Sequence, residues 1–318
     1  MSSSSSSPAL VDPSFWSGKK VLVTGNSGFK GSWLTLWLQR LGAEVAGLAL
    51  PPHTKPAMFE LVGGSEAIDT TFGDIADPAV VQRVLDRVEP DIIFHLAAQV
   101  LVRQSYADPF ETIATNVLGT TNVLNGARNV DGLQAVVIIT SDKCYENKEW
   151  YWPYREYEAM GGHDPYSASK GCAELITSSM RRSFFHEPGS ALVGSARAGN
   201  VIGGGDWSTD RLIPDIVRAF AVGEEVVIRM PEAIRPWQHV LEPLSGYLTL
   251  AQRLAAGDTE AADGWNFGPA EDDTKPVSWI VDQMANRWGE GAGFRIERGG
   301  PHEAIHLTLD CSPARAKL

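Results

Sequence analysis

Lys19-Lys-Val-Leu-Val-Thr-Gly-Asn-Ser-Gly-Phe-Lys-Gly31 is the stretch from which the fold of this chain is read. Residues 19–23 have the look of a short buried strand, and an apolar helix is expected from Ser32 to Leu41. Between them stand glycines 25, 28 and 31, spaced so that the backbone can turn tightly, approach a pyrophosphate and pack the helix against the sheet. The helix N-terminus then faces the phosphate charge. A lone glycine pattern says little, but a strand, glycine turn and helix at the first strand of a chain read as a dinucleotide site.

Outward from that stretch the pattern repeats. Strands are expected over 44–50, 91–96, 135–139 and near 191–197, with helices near 78–88, around 109–127 and through Tyr166 and Lys170. Strands alternating with helices imply an α/β fold, a doubly wound parallel sheet with ligands at the carboxyl ends of its strands. After Asn200 the texture changes to Gly203-Gly-Gly-Asp-Trp207 and then mixed sequence with prolines at 214, 231, 236 and 243. The chain therefore divides into a disordered tail (1–14), a dinucleotide-binding domain (15–200, some later segments returning to it) and a smaller mixed C-terminal lobe for substrate (201–318).

At 318 residues and 43% hydrophobic, the chain can bury a large core. Its net charge of −12 argues against a nucleic-acid or anionic-membrane surface, which would need clustered Lys and Arg. Cys144, Cys172 and Cys311 have no zinc spacing and suit reduced thiols in a cytoplasmic protein. The polar start lacks the segments of a signal peptide, and no apolar run approaches a membrane span. The seven histidines, His302 and His306 included, show no metal pattern, so no metal is expected.

In the middle of the chain Thr140-Ser141-Asp142-Lys143 follows an apolar strand, and Tyr166-Ser-Ala-Ser-Lys170 comes shortly after. Four residues apart on a helix, Tyr166 and Lys170 share one face. A phenol of pKa near ~10 must fall to roughly 8 to act as a base at neutral pH, and a nearby ammonium can supply that shift. The pair alone also arises on helices with no such task; its neighbours sharpen the reading.

The Thr24-Gly-x-x-Gly-Phe-x-Gly31 turn, His95-Leu-Ala-Ala98, Asn116, Ser141-Asp142-Lys143 and Tyr166-x-x-x-Lys170 together resemble the extended short-chain dehydrogenase/reductase superfamily. Within it, Gly28-Phe-Lys-Gly-Ser-Trp-Leu34, Ser141-Asp-Lys-Cys-Tyr145, Met160-Gly-Gly-x-Asp-Pro-Tyr166 and Arg235-Pro-Trp-Gln-His-Val240 are most similar to the CDP-glucose 4,6-dehydratases. The resemblance implies a Rossmann-type fold, tightly held NAD, CDP-glucose as substrate, and a place in deoxysugar biosynthesis for lipopolysaccharide O-antigen. It also implies a homodimer paired through helices near 110–127 and 166–182. Nucleotide-sugar epimerases share Tyr166 and Lys170 but do not need Asp142 and Lys143. A dehydratase of another nucleotide sugar, or a non-enzymatic NAD sensor on the same fold, are the other readings.

The resemblance also implies residue roles. Tyr166 takes the proton of the 4-hydroxyl, oriented by Ser141, while Lys170 holds the nicotinamide ribose and tunes the phenol. Asp142 protonates the hydroxyl leaving carbon 6, and Lys143 takes the proton on carbon 5, its basicity set by Lys170 and the oxidised nicotinamide; Lys143 could instead pair with a phosphate or with Asp142. Cofactor contacts fall to Gly25, Gly28, Phe29, Lys30, Gly31, Asp74, Ile75, Ala97, Ala98, Asn116, Tyr166 and Lys170, although Asp74 could be a simple turn acid. Ser141, Asn200, Arg211, Arg235 and His239 fall to the sugar nucleotide, two arginines suiting a diphosphate. Trp237 and His239 could equally be core, and Glu149-Trp-Tyr-Trp-Pro-Tyr154 is either a flap over the sugar or packing. Two departures stand out: the second strand runs into Pro51-Pro52 without the acid that normally grips the adenosine ribose, leaving NADP open, and the chain stops at Leu318 where relatives continue, as a truncated C-terminus would.

Overall fold

The computed structural model describes residues 11–299 and 304–318. Six strands, β1 (Lys20–Thr24), β2 (Glu44–Ala49), β3 (Asp69–Phe72), β4 (Ile92–His95), β5 (Ala135–Ile139) and β6 (Leu192–Ala198), join Gly264–Phe267 in one sheet. The order is (264–267)-β6-β5-β4-β1-β2-β3, and every pairing is parallel. The order reverses between β1 and β4, which is where such a sheet opens a crevice beyond its strand ends.

Both faces of this sheet are covered, so its central strands are apolar runs rather than alternations. Every residue of β4 and β5 is buried. Alternate side chains go to opposite cores: Val21, Phe94 and Val137 meet Leu34, Leu38 and Leu248 on one face, while Leu22, Ile93 and Val136 meet Val81, Leu85 and Leu124 on the other. The helix Leu241–Ala255 supplies Leu244, Leu248 and Leu254 to the first of these cores, and Gly264–Phe267 extends the sheet, so much sequence after residue 200 folds with the nucleotide-binding half. A separate small core of Ile216, Phe220, Val226, Ile228 and Trp237 builds the C-terminal lobe.

Several expectations change. Residues 11–14 are not tail: Asp12 caps the helix Pro13–Trp16 by accepting from Ser14 N at 2.8 Å, and Trp16 is buried against Phe94 at 6.0 Å. Residues 1–10 and His302 lie outside the described residues. β3 was not expected, because Asp69-Thr-Thr-Phe72 shows no apolar run; its backbone pairs with β2 at the sheet edge. The helix expected over 109–127 is interrupted by a π-helical turn, Ala114–Leu118.

Truncating Leu248 to Ala should cost about 2–5 kcal/mol, because the cavity would open in the sheet core and not in a detachable lobe. Urea unfolding would show this as a lower midpoint in a single transition.

Candidate active site

A cavity of about 640 Å³ lies across the carboxyl ends of the strands. Gly25 follows β1, Ala49 to Pro51 end β2, Gly73 to Ile75 follow β3, Leu96 to Ala98 follow β4, Thr140 to Lys143 follow β5 and Gly199 to Asn200 follow β6; all line it. The first turn admits no side chain at its two tightest points. Gly25 has φ +74° and a Cβ there would stand 2.7 Å from Ala97 N, while one on Gly31 would stand 2.1 Å from the Gly25 carbonyl. Gly28 begins the helix Phe29–Arg40 without a capping side chain, so the first-turn N–H groups of residues lining the cavity remain for a ligand.

The candidate catalytic residues come from two neighbouring elements. Asp142–Cys144 forms a short 3-10 turn after β5, in which Ser141 Oγ donates to Asp142 Oδ1 at 2.9 Å and accepts from Lys143 N at 3.2 Å. Beside it runs the helix Pro165–Phe184, with Asp164 as its cap: Asp164 accepts from Ser167 N at 2.9 Å and from Ser167 Oγ at 2.6 Å. This cap, with Pro165 at the first position, sets Tyr166 in the first turn and Lys170 one turn on.

Burial governs the charges of this set. It pushes the Tyr166 phenol up to about 12 against the opposing effects of its hydrogen bond with Ser141 and of Arg211. The expected fall towards 8 is therefore corrected: desolvation outweighs Ser141 and Arg211, and the Lys170 ammonium donates to the Ile139 carbonyl at 3.4 Å. Lys170 is itself drawn down to about 8 by burial, with Glu174 opposing. Asp142 is raised, also by burial, and its Oδ2 is buried without a hydrogen-bond partner among the described residues. Lys30 is drawn down to about 7 by burial, then by Lys170 and Arg211, and its ammonium lies 5.8 Å from the centre of the Tyr247 ring.

Phe29, Lys30, Asp74, Ile75, Ala97, Ala98, Asn200, Arg211 and Arg235 line the same cavity. Asp74 also accepts from Ala76 N at 2.8 Å, as a turn acid does. Arg235 is buried, and its guanidinium donates to the Ile234, Ile305 and Ala304 carbonyls. Two expected contacts fall elsewhere. Asn116, on the π-helical turn, is buried behind the cavity wall, accepting from Gln99 N at 2.8 Å and donating to Ser169 Oγ at 2.8 Å, so it holds the wall rather than the ligand. His239 is exposed, because its short strand with Val201–Ile202 turns Gln238 inward and the imidazole outward, where it accepts from Leu241 N at 3.3 Å. In 149–154, Trp150 and Tyr154 pack with Tyr145 and Leu307 in a small core, Tyr151 and Trp152 are exposed, and the Glu149 carboxylate accepts from His306 N at 2.8 Å. Tyr247, whose buried phenol feels Asp142 and Tyr166, was missed because its helix reads as plain core.

The model of the NAD dependent epimerase/dehydratase family matches residues 21–266. The chain belongs to that family. It is 52% identical over 314 residues to CDP-glucose 4,6-dehydratase of Salmonella typhimurium, covering 97% of this chain and 88% of that protein. Among solved structures, an epimerase of Methanothermobacter thermautotrophicus is 26% identical with a TM-score of 0.82, over 96% of this chain and 88% of that one. A double mutant of dTDP-glucose 4,6-dehydratase from Streptomyces venezuelae, with NAD bound, shares the fold at a TM-score of 0.78 and 23% identity, over 94% of this chain and 90% of that one.

The cofactor of the NAD dependent epimerase/dehydratase family fits this cavity. A turn that excludes a Cβ at Gly25 and Gly31, ahead of an uncapped helix start, is a cradle for a pyrophosphate. Ala49, Leu50, Pro51 and His53 at the end of β2 put no carboxylate there, and Asp74 of the adjoining strand end is the nearby acid on the wall. Gly31→Ala forces the helix away from the Gly25 carbonyl. It is expected to weaken NAD binding at least tenfold, about 1.4 kcal/mol, as read by equilibrium dialysis against labelled NAD.

Proposed function

We infer that this chain is a hydro-lyase that converts CDP-glucose to CDP-4-dehydro-6-deoxyglucose. The observation that carries this reading is the convergence of Ser141, Asp142 and Lys143 with Tyr166 and Lys170 on one cavity, an acid and an amine beyond what epimerisation requires. The likeness to the Salmonella enzyme along nearly the whole chain supports CDP-glucose as the substrate. Bound NAD supplies the acceptor for the hydride of carbon 4 and the donor that returns it to carbon 6, so the reaction has no net redox.

The residues act on protons and position. Tyr166 takes the 4-hydroxyl proton; since burial holds its phenol high, Ser141 and Arg211, which lower it, belong to that step. The ketone at carbon 4 acidifies carbon 5, and Lys143 removes that proton. Asp142, raised by burial, keeps its own proton to higher pH than an exposed aspartate and delivers it to the hydroxyl leaving carbon 6. Arg211 and Arg235 hold the diphosphate. Exposed Phe110, Leu118 and Leu175, on the paired helical segments 109–127 and 165–184, support a homodimer, and three free cysteines support a cytoplasmic setting. The product suits deoxysugar assembly for lipopolysaccharide O-antigen.

CDP-glucose, dTDP-glucose and GDP-mannose compared as substrates, with the 4-keto product read by its absorbance in alkali, test the reaction and its base. Turnover of CDP-glucose into an epimer would overturn it, and deuterium from carbon 4 is expected in the new methyl group. Asp142→Asn should lower turnover about 10²–10⁴-fold. Lys143→Met should oxidise carbon 4 and then stall before water loss; a Lys30→Met variant that stalls at the same point while Lys143→Met turns over would move the carbon-5 base to the Lys30 amine. Phe110→Glu with Leu175→Glu should run as a monomer in light scattering.

A further inference from the structure

The buried ion pair of Glu174 and Arg197 has no part in the chemistry described so far. Glu174 stands four residues beyond Lys170 and eight beyond Tyr166 on the helix Pro165–Phe184, so the three share a face. Both partners are buried, with side chains 3% and 6% exposed. The Glu174 carboxylate is filled by three donors: Thr140 Oγ1 on one oxygen, and on the other Ser195 Oγ at 2.7 Å and Arg197 Nη2 at 2.7 Å. Arg197 continues through Nη1 to Tyr145 Oη and the Glu156 carbonyl, both at 2.8 Å.

Thr140 is the significant partner. It lies between Ile139, whose carbonyl receives the Lys170 ammonium at 3.4 Å, and Ser141, whose hydroxyl influences the Tyr166 phenol and donates to Asp142 at 2.9 Å. One carboxylate thus ties the helix that carries Tyr166 and Lys170 to the strand end that carries Ser141, Asp142 and Lys143. A buried ion pair is a poor device for stability alone, since apolar groups of the same volume would serve as well. A fixed negative charge one turn behind a buried amine does something apolar groups cannot: it keeps the amine protonated.

We propose that Glu174, held by Arg197, is a positioning residue that sets the Thr140–Lys143 turn against Tyr166 and maintains Lys170 as a cation. The charge effect agrees with the opposing influences on Lys170, drawn down by burial and up by Glu174. Glu174 is itself pushed up by burial but held below the ordinary carboxylate range by Arg197. The other titratable groups facing this pair are Cys144 on the turn after β5, Tyr145, Glu156 beside Arg197, Arg181 on the same helix and, on the Lys170 side, Lys30 and His95.

This inference rests on the assignment of Tyr166 and Lys170 to the sugar oxidation. The test compares Thr140→Val, which removes one donor without adding charge, with Glu174→Gln and with Glu174→Gln combined with Arg197→Met, which leaves no unpaired guanidinium. Thr140→Val should lower kcat at least tenfold with KM for CDP-glucose within about threefold of wild type. In the charge variants the alkaline fall of kcat/KM should move at least one pH unit lower, because Lys170 then loses its proton more easily; Glu174→Asp should recover part of that movement. Wild-type kcat in Thr140→Val, or an unmoved pH profile in a folded charge variant, overturns the proposal. If the charge variants do not fold, Thr140→Val decides alone. Wild-type protein inactive on every nucleotide sugar would instead sink the functional reading beneath it.

Discussion

Desolvation of ionisable groups gathered in the crevice beyond the strand ends is the constraint from which the rest of this site follows. Lys30, Asp142, Tyr166 and Lys170 all have burial as their largest perturbation, which raises the acids and lowers the amines. The result is a phenol that only Ser141 and Arg211 draw back down, a carboxyl inclined to keep its proton, and amines poised near neutrality. That is an inventory for moving protons, and it arises from depth in the fold more than from any single neighbour. Burial is the largest influence on Glu174 as well, but Arg197 and the hydrogen bonds from Thr140 and Ser195 together overcome it and hold a negative charge there.

The parallel sheet makes such depth possible. Helices cover both of its faces, so the strand ends open into a crevice closed on its far side by the small lobe built on Ile216, Phe220 and Trp237. Each strand end brings a different functional piece: the glycine turn after β1, the Ala97–Ala98 wall after β4, the Ser141–Lys143 turn after β5. Tight backbone contacts hold these pieces in place. Gly25 lies so near Ala97 that no side chain fits between the two strand ends. Asn116 performs the same service from behind, bonding Gln99 on one side and Ser169 of the Tyr166 helix on the other.

Local signals were readable wherever one segment contains its own cause. The glycine spacing before Phe29, the apolar runs of β1, β4 and β5, and the four-residue step from Tyr166 to Lys170 each follow from backbone geometry within a few residues. Signals failed where the partner is remote. β3 has no hydrophobic pattern because it is an edge strand held by backbone bonds to β2. The π-helical turn at Ala114–Leu118 leaves no mark in composition, yet it sets where Asn116 points its amide.

The amino-acid sequence by itself determined the doubly wound sheet, the cradle for a dinucleotide and the shared helix face of Tyr166 and Lys170, because glycine steric freedom and helical periodicity act over short stretches. Only the tertiary structure decided their electrostatics and their company. It lifted Tyr166 instead of lowering it, turned His239 outward, and placed Glu174 and Arg197 beneath Lys170. Burial depends on every chain segment that excludes water from a point, and no local stretch of sequence contains that information.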